Sequence, residues 1–125
     1  MLAVAERTNQ QIPTRTQAKE TQVIVAIVTF KLSKRWTLEE AAAVFESTAP
    51  KYLGKPGLLR KHYYLGEHGD RAGGIYFWNS RADAEACYTP EWKETVAKKY
   101  GAAPDIFYAD VPVSVDNVAH VIESA

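Results

Sequence analysis

The sequence predicts an α+β fold: a ferredoxin-like βαββαβ antiparallel sheet with both helices on one face. Three observations predict it. The run Ala72-Gly73-Gly74-Ile75-Tyr76-Phe77-Trp78 is rich in β-formers, stops on tryptophan and passes at Asn79-Ser80 into a capped helix. Gly57 opens a second strand-like run to Leu65, and the turn Gly66-Glu67-His68-Gly69-Asp70-Arg71 joins the two as a hairpin. The run Val23 to Phe30 is β-branched and apolar at odd and even positions alike, the mark of a strand buried on both faces.

The elements follow in order. Residues 1–21 are polar and without sustained period, and are read as a flexible N-terminal arm. Residues 22–117 form the domain, and residues 118–125 a C-terminal tail. After the first strand, Thr37 and Glu40 make a capping box, and Ala41, Ala42, Phe45, Ala49 and Tyr52 follow at helical spacing until Gly54 and Pro56 end the helix. Beyond the hairpin, Ser80 caps a second helix that breaks at Thr89-Pro90, where threonine recaps and proline takes a first helical position. Tyr88, Trp92, Val96 and Tyr100 then recur at steps of four as a packing stripe, and Gly101 and Pro104 close the segment. Asp105 to Val115 supplies the fourth strand, with Pro112 marking an edge or an exit from the sheet.

Composition narrows the function. At 125 residues and 46% hydrophobic, the chain suits one domain whose small core gains from a partner. Fifteen basic and fifteen acidic side chains cancel, which leaves no overall positive field for nucleic acid or an anionic membrane. The longest apolar run, Val23 to Val28, falls far short of the roughly 20 residues that cross a bilayer. A single cysteine, Cys87, and early charges at Glu6 and Arg7 fit a cytoplasmic protein without a signal peptide. No two histidines have metal-site spacing with a carboxylate, so no metal is expected, and Gly73-Gly74 precedes its strand instead of opening a phosphate-binding helix. The doubly apolar first strand leaves the second face of the sheet to be covered. A homodimer closing into an α/β barrel would cover it.

Gly57-Leu58-Leu59-Arg60-Lys61, the Gly73-to-Trp78 strand and Arg81-Ala82-Asp83-Ala84-Glu85-Ala86 resemble, in this order, the YdhR-type monooxygenases of the dimeric α/β-barrel superfamily. The likeness runs from about Gln22 to Asn117. It implies a cofactor-independent oxygenase acting on a small phenolic or enolisable aromatic substrate, in an apolar pocket between helices and sheet or at the dimer barrel. No cofactor is implied. The superfamily also holds haem-handling enzymes and members without a known reaction, so the fold alone does not choose the chemistry.

Lys61 is the residue matched by that pattern; it would stabilise a substrate enolate or phenolate, or else form a salt bridge at the surface or the dimer interface. His62, the histidine placed within a strand, is the candidate base, with a hydrogen-bonded structural role as its alternative. Strand alternation puts Leu59, Lys61, Tyr63 and Leu65 on one face and Leu58, Arg60, His62 and Tyr64 on the other, so both catalytic candidates serve one pocket only with a bulge or a site at the strand edge. Tyr76 and Trp78 share a face expected to look into the barrel, while Ile75 and Phe77 suit the helices. Tyr63, Tyr76, Trp78, Trp92 and Tyr108 are the candidate walls for a small aromatic or apolar ligand. Asp110 either pairs with Lys61 or Arg60 or marks where the last strand meets solvent. Cys87, with no adjacent base, reads as a packing residue. The second class of function is a ligand-binding module without turnover. A third, RNA stacking on the sheet, lacks the basic residue and aromatic spacing it needs.

Overall fold

The computed structural model describes residues 14–16 and 22–124. The chain divides into two compact units, Ile24–Ala109 and the segments on either side of it. The first unit carries a four-stranded sheet in the order β3-β4-β2-β5, formed by β2 (Ile24–Lys31), β3 (Leu58–Leu65), β4 (Arg71–Trp78) and β5 (Asp105–Asp110). Three helices accompany it: α1 (Leu38–Thr48), continued by a 3₁₀ turn (Ala49–Tyr52), α2 (Arg81–Cys87) and α3 (Pro90–Tyr100). This is the ferredoxin-like α+β arrangement, with β2 and β3 each antiparallel to β4.

Local chemistry sets the helix boundaries. Thr37 Oγ1 accepts from the Glu40 amide at 3.1 Å, and Glu40 accepts from the Thr37 amide at 2.8 Å, closing the expected capping box at α1. The Glu40 carboxyl is lowered chiefly by that amide. Ser80 caps α2, and Thr89 caps α3 by accepting from the Trp92 amide at 3.1 Å. With Pro90 opening α3 and Gly101 ending it at φ 85°, the long helical segment is two pieces, as the sequence implies.

The core lies between the helices and one face of the sheet. Ala26, Val28 and Phe30 of β2 are buried there, and Phe30 stacks on Tyr100 with ring centroids 4.2 Å apart. Across the sheet, Ala26 pairs with Tyr76 and Tyr76 with Lys61, while the next row is Val28, Gly74 and Tyr63. Gly73 permits the close approach of β2, because a Cβ there would collide with the Val28 carbonyl oxygen.

Three expectations are corrected. Tyr76 and Trp78 face the helices, and the half-buried Ile75 and Phe77 take the other face. The reason is the aromatic cluster, in which Tyr76 and Trp78 both meet Tyr88 edge-on, a larger burial than Ile75 and Phe77 could supply. The alternation of β3 is broken by a bulge between Leu58 and Arg60: Leu58 pairs with Trp78 and packs on the core, while Leu59 is 53% exposed. The fourth strand does not run to Val115. It stops at Asp110, and the chain passes Val111 and Pro112, whose missing amide proton cannot continue a ladder.

The second unit holds a three-stranded sheet in the order β1-β7-β6, with β1 at Thr14–Thr16, β6 at Val113–Asp116 and β7 at Val121–Ser124. Thus Thr14–Thr16, within the segment read as an arm, pairs parallel with β7, within the segment read as a tail. The rest of the arm lies outside the described residues. Asp116 Oδ1 turns the β6–β7 hairpin by accepting from the amides of Val118 and Ala119, both at 2.9 Å.

Thr37→Ala is expected to lower unfolding stability by about 1 kcal/mol, read as a shifted urea midpoint with an unchanged m-value.

Candidate functional site

A cavity of about 160 Å³ opens between the sheet and the helices of the Ile24–Ala109 unit. Its floor is β3 and β4, which contribute Lys61, Tyr63, Gly74 and Tyr76. Thr48 closes one side from α1, with Lys51 and Tyr52 from the 3₁₀ turn. Trp92, Thr95, Val96 and Lys99 face it from α3 at i, i+3, i+4 and i+7, one helical stripe.

Lys61 lies at the centre of a tyrosine cage. Its Nζ sits 3.4 Å from the Tyr52 ring centroid, 3.8 Å from Tyr63 and 4.5 Å from Tyr76. Gly74 makes room for this packing, since a Cβ there would lie 3.1 Å from the Lys61 Cε and 2.9 Å from the Tyr76 ring. No carboxylate among the described residues pairs with the ammonium. Burial therefore pushes Lys61 down from its ordinary 10.5 to about 7; the Cys87 thiol works in the opposite sense and the Lys51 charge in the same sense.

The rings are held by their own polar ends. Tyr52 accepts from Trp92 Nε1 at 3.0 Å, and the Tyr63 and Thr48 hydroxyls bond at 2.8 Å. Burial raises the phenols of Tyr52, Tyr63 and Tyr76 and the Cys87 thiol, so all four stay protonated at neutral pH. Lys61 is then the cavity group that changes charge near neutrality. Its ammonium can hold an anion, and its free amine can take a proton from an acid of similar strength.

Of the residues singled out from the sequence, Lys61, Tyr63, Tyr76 and Trp92 meet at this cavity. His62 does not. It pairs with Ile75 on the opposite face and is exposed, and the β3 bulge falls before it, so the register from Arg60 onward keeps Lys61 and His62 apart. Trp78 lies behind the wall: fully buried, it stacks on Tyr76 with centroids 6.0 Å apart and donates to the Tyr88 hydroxyl at 3.1 Å. Tyr108 carries the Arg81 guanidinium 3.7 Å over its ring, away from the cavity lining. Asp110 is exposed. Tyr52, Thr48, Lys51 and Lys99 were missed from the sequence. The signal was present for Lys99, because Trp92, Thr95, Val96 and Lys99 share one face of α3.

The fold is a ferredoxin-like one shared with monooxygenases. It is similar to the monooxygenase from the gene ActVA-Orf6 of Streptomyces coelicolor, solved with the ligand Nanaomycin D, at 15% identity and a TM-score of 0.60 over 77% of this chain and 93% of that one. It is similar to a dimeric ferredoxin-like protein from an uncultured marine organism, at 18% identity and a TM-score of 0.55 over 75% of this chain and 99% of that one. SnoaB, a cofactor-independent oxygenase of Streptomyces nogalater, matches at 15% identity and a TM-score of 0.50 over 77% of this chain and 97% of its own. At these identities the likeness is one of fold. The sequence matches no protein-family model and no curated protein. No described helix is long and apolar enough to cross a membrane.

A lysine with a depressed pKa makes stability depend on pH. Between about 7 and 10.5 the unfolded chain holds the Lys61 proton and the folded chain does not, so stability rises with pH across that window and the contribution is lost as pH falls through 7. In parallel denaturant titrations, the stability of the parent protein relative to Lys61→Met is expected to increase from pH 7 to pH 10.

Proposed function

We propose that this chain is a cofactor-independent monooxygenase of a small phenolic or enolisable aromatic compound, working in the cavity between helices and sheet. One observation carries the reading: a lysine amine set among three tyrosine faces at the wall of an aromatic cavity, with no carboxylate partner among the described residues, its pKa lowered by burial. The fold it shares with a monooxygenase and with a cofactor-independent oxygenase supports it, as do the strand and helix motifs that resemble YdhR-type monooxygenases.

In this reading the Lys61 amine accepts the substrate's acidic proton, and the ammonium so formed stays beside the phenolate or enolate. Tyr63, Tyr76 and Trp92 hold the ring and exclude water. The anion then gives its electrons to dioxygen directly. For a phenol going to a quinone, one oxygen atom enters the ring and the other leaves as water, so no outside reductant is needed. Lys61 thus performs both roles that the sequence divided between Lys61 and His62.

The outer face of the sheet, with Val25, Ile27, Ile75 and Phe77 half-buried and Phe107 58% exposed, is assigned to a second copy of the chain. That a similar fold occurs in a dimeric ferredoxin-like protein supports this assignment.

The test is oxygen uptake by purified, metal-free protein on a panel of single-ring hydroquinones and phenols, without flavin or nicotinamide. Uptake above autoxidation is expected, with kcat/KM rising through about pH 7 as Lys61 loses its proton. Lys61→Met is expected to lower kcat by about 100-fold or more and to remove that pH limb, whereas His62→Ala leaves turnover little changed. Saturable binding without uptake would make the protein a binding module instead.

A further inference from the structure

The chain as a whole is electrically balanced, with fifteen basic and fifteen acidic side chains, but its cavity is not. Lys51, Lys61 and Lys99 line it from three different elements, and no aspartate or glutamate does so among the described residues. Lys61 is the inner cation and is half-buried; Lys51 and Lys99 are exposed and mark the mouth. The site is held short of negative charge. Lys51 works against the Lys61 ammonium, and neither Tyr76 in the floor nor Tyr52 in the cage is ionised at neutral pH. The remaining titratable neighbours, Tyr63, Tyr100 and Cys87, are likewise raised by burial and neutral. An anion in the cavity would relieve a repulsion that the described residues leave uncompensated.

Size limits what that anion can be. An engineered cavity of about 150 Å³ holds benzene, and the cavity here is about 160 Å³. One aromatic ring fits, with a small substituent extending to the open end. The ring faces of Tyr63, Tyr76 and Trp92 suit a planar guest.

We propose that the ligand is a single-ring aromatic acid, its ring held among the tyrosine faces with its phenol or enol oxygen toward Lys61, and its carboxylate held at the mouth by Lys51 and Lys99. The orientation of the ring rests on the monooxygenase reading of Lys61. The preference for a carboxylate does not, because it follows from the charges at the mouth. Binding of such an acid draws a proton onto Lys61, since a negative group in the cavity favours the ammonium over the amine.

Calorimetric titration of the full chain with 4-hydroxybenzoate and with its neutral isostere 4-hydroxybenzamide tests the assignment. The acid is expected to bind at least tenfold more tightly at low salt, with the gap narrowing as salt is added. In two buffers of different ionisation enthalpy at pH 7.5, binding of the acid is expected to show net uptake of less than one proton per site, which Lys61→Met abolishes. The double variant Lys51→Gln/Lys99→Gln changes two exposed side chains, and circular dichroism confirms its folding; in it the acid's advantage over the amide is expected to shrink to the smaller part that Lys61 carries. Equal or tighter binding of the amide by the parent protein, a preference undiminished in the double variant, or no binding of either compound overturns the inference. The two readings fail separately: oxygen uptake on neutral phenols with no preference for acids would leave the monooxygenase intact and remove the carboxylate site. Tight, lysine-dependent binding of the acid without uptake would do the reverse.

Discussion

The structure depends on one compromise, the placing of a lysine on the buried face of a sheet with no acid among the described residues to meet it. Desolvation favours the neutral amine, and burial of such groups moves a pKa by up to about 3–5 units. The three tyrosine faces around Nζ favour the cation, each by roughly 0.5–2 kcal/mol. Burial, with the Lys51 charge acting in the same sense, pushes Lys61 down to about 7. A carboxylate partner would have fixed the ammonium and ended its chemistry; aromatic faces support the charge without fixing it. The Gly74 gap, the Thr48–Tyr63 bond and the Trp92–Tyr52 bond are what keep those faces in place.

Much of the fold was legible because it is written in local chemistry. The Thr37–Glu40 box, the Thr89-Pro90 break, Gly101 and the Gly66–Arg71 turn each act within a few residues, and each is found where the sequence puts it. What escaped depends on non-local packing. Alternation along β4 separates Tyr76 and Trp78 from Ile75 and Phe77, but which pair meets the helices is decided by Tyr88, twelve residues beyond Tyr76. The β3 bulge is invisible because Leu58 and Leu59 are equally apolar, and only pairing with Trp78 chooses between them. The β6–β7 hairpin was hidden in short, mixed segments, and the other partner of β7 is β1, at the far end of the sequence.

The candidate site shows the same division. Lys61, Tyr63 and Tyr76 follow from strand parity on two paired strands, and Trp92 from the start of a helix. Lys51 and Tyr52 sit in a 3₁₀ turn whose direction no periodicity reveals. His62 was attractive by residue type alone. The strict period of two beyond the bulge turns it to the other face, and the proton-handling role proposed here falls to the neighbouring lysine.

The central claim is that Lys61 exchanges its proton near neutrality inside the cavity. The most direct measurement is a ¹³C NMR titration of the lysine Cε signals of the free protein, with Lys61 assigned by its loss in Lys61→Met. A midpoint close to 7, apart from the other lysines, is the result this account predicts. A Lys61 midpoint near the ordinary 10.5 would contradict it, leaving a permanently charged lysine held by ring faces and no base in the cavity.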